Sequence, residues 1–144
     1  MGIPIRKIVE WAEKLNGIKY VFAAENDRKP VSEIEREDCS ELIQNACDQN
    51  SVVPRMPDGA KNQYHHCHDH GTLISVQEAI DTYGALLFRI ADQSHVAFSM
   101  GDGHRTFEAK GSRDGVGYFD NVADRPWTHG ALIPGADYPG WEVS

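Results

Sequence analysis

Residues 84–110 read GALLFRIADQSHVAFSMGDGHRTFEAK, and the fold turns on how this stretch is parsed. Apolar residues run from Ala85 to Ala91 and from His95 to Met100, and Arg105 to Lys110 takes up the two-residue period again after Gly101-Asp102-Gly103. Strands with this period joined by a glycine-rich turn make an antiparallel meander. Downstream, Gly111 to Gly115 is a second turn, Val116 to Val122 a fourth strand and Trp127 to Ile133 a fifth.

Upstream the period is helical. Ile5, Ile8, Val9, Ala12 and Leu15 share one face, and Gly17 can take the left-handed position that ends a helix, so a first helix is expected over residues 4–16. The run Ile18 to Ala24 suits a strand or a loop, and the charged stretch Glu25 to Asp38 suits the surface. Cys39, Leu42, Ile43 and Ala46 form the stripe of a second helix, with Asp38 and Glu41 at capping-box spacing. Asp48 to Thr72 is polar and contains Pro54, Pro57, Gly59 and Gly71, which predicts a long irregular connection. Ser75 and Glu78 repeat the capping spacing before a helix of residues 76–83 closed by Gly84. Helices first and strands afterwards predict an α+β domain, with N-terminal helices packed on an antiparallel sheet.

A chain of 144 residues, 40% hydrophobic, has room for one core, so residues 1–144 are expected to form a single domain. Its 14 Lys+Arg against 22 Asp+Glu give a formal charge of −8, which lacks the basic footprint of a nucleic-acid partner. No run approaches the roughly 18 apolar residues of a membrane span, and the N-terminal residues do not read as a signal peptide. Three cysteines, Cys39, Cys47 and Cys67, are too few for a disulfide framework.

Chemistry concentrates at three places. Cys39 would be the first residue of its helix, where backbone N–H groups and the macrodipole favour thiolate, although a small buried residue would fit there equally well. His95 opens a strand and could aim a fixed imidazole at a helix packed over the sheet; Glu108 on the next strand, between Phe107 and Ala109, could lie beside that ring and orient it. Without those partners His95 and Glu108 would read as ordinary strand residues, and His104, beside the glycine turn, as an exposed hairpin tip. The third place is His65-His66-Cys67-His68-Asp69-His70, rich in zinc-ligand types but matching no zinc spacing.

Asp38-Cys39-Ser40 at a helix start, Ser94-His95-Val96-Ala97 about 56 residues later, then Gly-Asp-Gly and Thr106-Phe107-Glu108-Ala109, resemble the NlpC-type cell-wall cysteine peptidases. The resemblance covers roughly residues 5–134, with Ile18-Lys19-Tyr20-Val21-Phe22 where relatives carry a Tyr segment and Gly84-Ala85-Leu86-Leu87-Phe88 like the strand before the histidine. It implies a papain-like fold in which Cys39 attacks, His95 is the base and Glu108 orients the ring, with Tyr20, Asp38 and Ser40 meeting the substrate and no metal or other cofactor. The chain departs from the family at Glu41 and at Ala23-Ala24, where glycines are usual, and at Glu108, where His, Asn or Gln is common. A carboxylate there also resembles the related CHAP group.

Glu108-Ala109-Lys110-Gly111, Gly115-Val116-Gly117 and Trp127-Thr128-His129-Gly130 are similar to peptidase domains of bacteriophage lysins and tail proteins. The resemblance therefore implies a monomeric thiol hydrolase of peptidoglycan, cutting an amide bond in the peptide stem or cross-link. It would be the N-terminal part of a longer lysin, made in the host cytoplasm and reaching the wall after release. Two other readings are a zinc hydrolase built on residues 65–70 and a noncatalytic wall-binding module.

Overall fold

The computed structural model describes residues 2–20, 36–111 and 114–141. In chain order the elements are β1 (Ile3–Pro4), α1 (Ile5–Glu13), β2 (Lys19–Tyr20), β3 (Arg36–Glu37), α2 (Cys39–Gln49), α3 (Ala60–Asp69), β4 (Leu73–Ile74) and α4 (Val76–Ile80). There follow β5 (Leu86–Arg89), β6 (His95–Ser99), β7 (Thr106–Gly111), β8 (Gly115–Phe119), β9 (His129–Ala131) and β10 (Ala136–Asp137).

The meander forms as the alternation demands. β5, β6, β7 and β8 pair antiparallel in sequence order, with Leu87 opposite Ala97, Phe98 opposite Phe107 and Glu108 opposite Gly117. The fifth strand does not extend the meander at its far side. β9 pairs with β5 instead, and β4 pairs with β9, giving the order β4-β9-β5-β6-β7-β8.

Alternation assigns the strands two faces. Leu86, Phe88, Val96, Phe98, Phe107 and Ala109 join the main core with Ile8 and Val9 of α1 and Leu42 and Ile43 of α2. Leu87 turns the other way into a smaller cluster with Ala79 and Ile80 of α4 and with Val122. The sheet is thus covered by α1 and α2 on one face and by short α4 on the other, an α+β arrangement. Cutting a fully buried side chain such as Phe98 or Leu42 back to alanine costs about 2–5 kcal/mol.

The helix ends follow their local chemistry. α1 stops at Glu13, and a turn carries the chain to Gly17, whose φ of +93° is the left-handed conformation its sequence position predicts. Ser75 and Glu78 make both bonds of a capping box, Ser75 Oγ accepting from Glu78 N–H and Glu78 Oε1 accepting from Ser75 N–H, each at 3.0 Å. α4 ends after five residues, and Gly84, with φ +80°, leads into β5. A Cβ at Gly84 would lie 2.1 Å from Ile5 Cγ1, so this glycine also lets α1 seat against the sheet.

The expected irregular connection over 48–72 is corrected: it contains α3, a helix of ten residues. Its sequence hides it because only Ala60, Gln63 and Cys67 are buried, at i, i+3 and i+7, and two of these are small and the third polar. A stripe that narrow gives no apolar period to read. The expectations for residues 21–35 lie outside the described residues.

Candidate active site

Asp38 caps α2 from an extended backbone, its Oδ1 accepting from Glu41 N–H at 2.7 Å and from Ser40 Oγ at 3.2 Å. These two bonds tighten the first helical turn around Cys39. The thiol is buried, with 8% of the residue exposed. Gln63, wholly buried on α3, donates through Nε2 to Ser40 O and to Pro57 O, both at 2.9 Å, and so ties α3 to the turn that carries the sulfur.

The pull of the helix start on the thiol is opposed by its surroundings. Burial dominates and raises the Cys39 thiol to about 11, against the opposing pull of the Val96, Ser40 and Cys39 N–H groups, while the Asp38 charge raises it further. At neutral pH the resting sulfur therefore keeps its proton, and a nearby base is required to remove it.

His95 begins β6 and is 6% exposed. Val96 and Phe98 beside it join the core row that meets α2, and the imidazole lies against Glu108 and the Trp127 ring. His95 Nε2 donates to Glu108 Oε1 at 2.7 Å, which leaves Nδ1 as the nitrogen able to accept a proton. His95 and Cys39, 56 residues apart, line one cleft of about 740 Å³ together with Asp38, Ser40, Lys61 and Arg89. A larger cleft of about 830 Å³, lined by Tyr83, Tyr138 and Trp141, contains neither a thiol nor a histidine, so the chemistry is placed in the smaller one.

Glu108 is fully buried. Burial alone would raise its carboxyl, but hydrogen bonds from Arg125 and then from His95 outweigh it and hold the group at about 2. The Arg125 fork donates through Nη1 to Oε2 at 2.7 Å and through Nη2 to Oε1 at 2.6 Å, and Thr106 Oγ1 donates to Oε2 as well. The guanidinium lies 4.4 Å from the Trp127 ring centre, and the Trp127 ring stacks on His95 at 6.1 Å and 22°.

Cys39, His95, Asp38 and Ser40 thus line one cleft, and Glu108 lies buried behind it, bonded to His95. Tyr20 falls in β2, paired with Glu37 of β3 immediately before Asp38; its side chain lies outside the described residues. His104 is exposed beside its turn. Arg125, Trp127 and Gln63 are the residues that sequence reasoning missed. One signal pointed to a cation of some kind: a glutamate on a strand needs one when it is buried. Nothing in the sequence chose among the arginines.

The histidine run occupies α3 and the turn that ends it, which is a correction to the expected loop. Cys67 points into the core, while the rings of His66 and His70 lie tilted by 52° with centres 4.4 Å apart. His70 Nδ1 bonds His66 O at 2.8 Å, and His68 pairs with its neighbour Asp69. Among the described residues no three His, Cys, Asp or Glu side chains are placed to hold one metal ion. All three cysteines are free thiols.

No protein-family model matches this sequence, and no curated protein matches it either. Solved structures do. The chain superposes on the NlpC/p60 domain of the peptidoglycan hydrolase SagA with a TM-score of 0.68 at 24% identity, over 91% of this chain and 100% of that one. NlpC1 from Trichomonas vaginalis gives 0.67 at 21% identity, over 91% of this chain and 44% of that one. The peptidoglycan hydrolase RipB from Mycobacterium tuberculosis gives 0.67 at 19% identity, over 90% and 64%, so this chain spans less than two thirds of the latter two. The fold is the NlpC/p60 fold.

Proposed function

We propose that the protein is a cysteine hydrolase of bacterial peptidoglycan that cuts an amide bond in the peptide stem or cross-link. The observation that carries this reading is the shared cleft, lined both by the thiol residue at the start of α2 and by a histidine whose Nε2 is held by a buried carboxylate at 2.7 Å. The named peptidoglycan hydrolases of the same fold support the choice of substrate.

The thiol is neutral at rest, so His95 Nδ1 takes the Sγ proton as sulfur bonds to the scissile carbonyl carbon. The Cys39 N–H, at the helix start, is available to the resulting oxyanion. As the C–N bond breaks, the leaving amine receives that proton from His95, and a thioester remains on Cys39. Water then attacks the thioester, giving one proton to His95 and releasing the acid as the C–S bond breaks. The proton passes from His95 back to sulfur. Glu108 keeps the ring oriented in both halves.

The decisive experiment digests purified peptidoglycan with the protein and identifies the released muropeptides by mass spectrometry. A new amine and a new carboxyl at one peptide position, absent with Cys39→Ala, are expected; intact stems and cross-links would refute the reading. The resemblance at residues 108–117 and 127–130 supports a setting as a lysin that meets the wall after release from the host cytoplasm. Added protein should then clear suspensions of permeabilised cells, and failure to lower their turbidity would count against that setting.

A further inference from the structure

We infer that Arg125 is a positioning residue of this site, acting on His95 through two contacts at once: its fork fixes both oxygens of Glu108, and its face holds Trp127 against the imidazole. The inference rests on the reading of Cys39 and His95 as a catalytic pair. Four side chains close a ring: His95 bonds Glu108, Glu108 bonds Arg125, Arg125 covers Trp127, and Trp127 stacks on His95. Each member is held from two sides. The Trp127 indole N–H is itself fixed on Val122 O at 2.9 Å, so the ring cannot slide off the imidazole without losing that bond.

The arrangement answers a physical problem. A glutamate with one bond to a histidine can rotate about its side-chain torsions and present either oxygen, or a protonated face, to the ring. Here Oε1 accepts from His95 and Arg125, and Oε2 accepts from Arg125 and Thr106. With both oxygens committed and a fixed cation opposite, the carboxylate has one orientation and one charge state in the working pH range. The fully buried negative charge is balanced within the site, so Glu108 can act on His95 as an oriented acceptor without an unpaired charge in the core. Arginine suits this role in a way lysine cannot, because only the planar fork reaches both oxygens while its face lies on an indole.

The role separates into a charge part and a geometry part, and two variants read them apart. Arg125→Met removes both; Arg125→Lys keeps a cation but loses the fork. The titratable groups in contact with Glu108 are His95 from β6 and Arg125 from the β8–β9 connection, with the neutral Thr106 hydroxyl from its own strand, and the variants change only the arginine. The first readout is the carbon-13 resonance of the Glu108 carboxyl followed against pH, which requires no substrate. In the wild type it should titrate at about 2; in Arg125→Met its midpoint should rise by about a unit or more, and in Arg125→Lys by less. The second readout is turnover of peptidoglycan peptides. Arg125→Met should lower kcat by about tenfold or more with KM within about twofold, and move the acid limb of the kcat profile to higher pH. Arg125→Lys should lower kcat while leaving that limb in place. In a Glu108→Gln background, Arg125→Met should cost little further, because its effect runs through the carboxylate.

An unmoved Glu108 titration in Arg125→Met, or an equal loss of kcat in the Glu108→Gln background, would overturn the inference. If Arg125→Met does not fold, Arg125→Lys decides the matter: wild-type kcat in that variant also overturns it. Absence of turnover by the wild type itself would instead refute the peptidoglycan reading, and the carboxyl titration would still judge Arg125.

Discussion

Two regions of this molecule are rich in reactive side chains, and they differ in how those side chains were assembled. Residues 65–70 supply four histidines, a cysteine and an aspartate in six consecutive positions. Because they follow one helix and its closing turn, they fan out: Cys67 goes into the core, while His65, His68 and His70 face solvent. The cleft at the start of β6 takes Cys39 from α2 and His95 from β6, and behind it His95 is bonded to Glu108 of β7, which is bonded in turn to Arg125 of the connection after β8. Density of ligand-type residues along the chain does not make a site. Convergence from separate elements, fixed by packing, does.

The sharpest way to break that contrast is Cys39→Ala. It should abolish turnover and labelling by a thiol alkylator at residue 39 while far-ultraviolet circular dichroism stays native, because alanine fills the same first-turn position without the nucleophile. A mutant as active as the wild type would remove the site altogether.

Next come the two replacements of Glu108. Glu108→Gln keeps an acceptor for the His95 N–H but offers the Arg125 fork a neutral amide, so kcat should fall by about one to two decades, the value of a buried charge-assisted hydrogen bond of roughly 1.5–3 kcal/mol. Glu108→Ala, which takes the carboxylate away from both His95 and Arg125, should fall further. Rate constants for the two variants, with thermal melts to confirm folding, measure this.

Acid stability gives a smaller effect with a definite sign. Glu108 is depressed in the folded state to about 2 from an ordinary value of 4.5, so its contribution is present above pH 4.5 and is lost as the pH falls toward 2. Urea midpoints taken across that window should drop less steeply in Glu108→Gln than in the wild type. Parallel slopes would mean that the carboxylate contributes nothing through its charge.

The smallest expected effect belongs to the other region. Removing metal with a chelator, or replacing His66 and His70 with alanine, should leave kcat within about twofold, since the proposed steps use only the thiol and the imidazole. Loss on chelation with recovery on added zinc would reverse the comparison and move α3 to the centre of the chemistry.

These expectations were unequally legible in the sequence. The hairpin that joins His95 to Glu108 could be read because strand period and a Gly-Asp-Gly turn fix register locally, and a partner 13 residues away needs no knowledge of the rest of the fold. Helix α2 showed itself through Asp38 and an apolar stripe. Helix α3 did not, because it buries an alanine, a glutamine and a cysteine where a reader looks for Leu or Ile. Only half of the balance at Cys39 was visible for a related reason: the helix start is local, whereas the burial that opposes it comes from the fold around it. Arg125 and Trp127 were invisible as site residues, since their roles exist only after β9 has crossed the sheet to pair with β5.

That crossing has a kinetic consequence. β5 to β8 can zip up from neighbouring hairpins, bringing His95 to Glu108 early. β9 can enter only between two earlier strands, β4 and β5, closing loops of more than forty residues at a point where local contacts offer it no help. Arg125 and Trp127 precede that strand by a few residues, so they arrive with it. If that strand docks late, Glu108 would until then be a carboxylate on a partly formed sheet with no cation opposite. Completion of the candidate site would then fall to one of the last steps of folding, and a nascent or partly folded chain would carry the thiol and the imidazole without the group that arranges them.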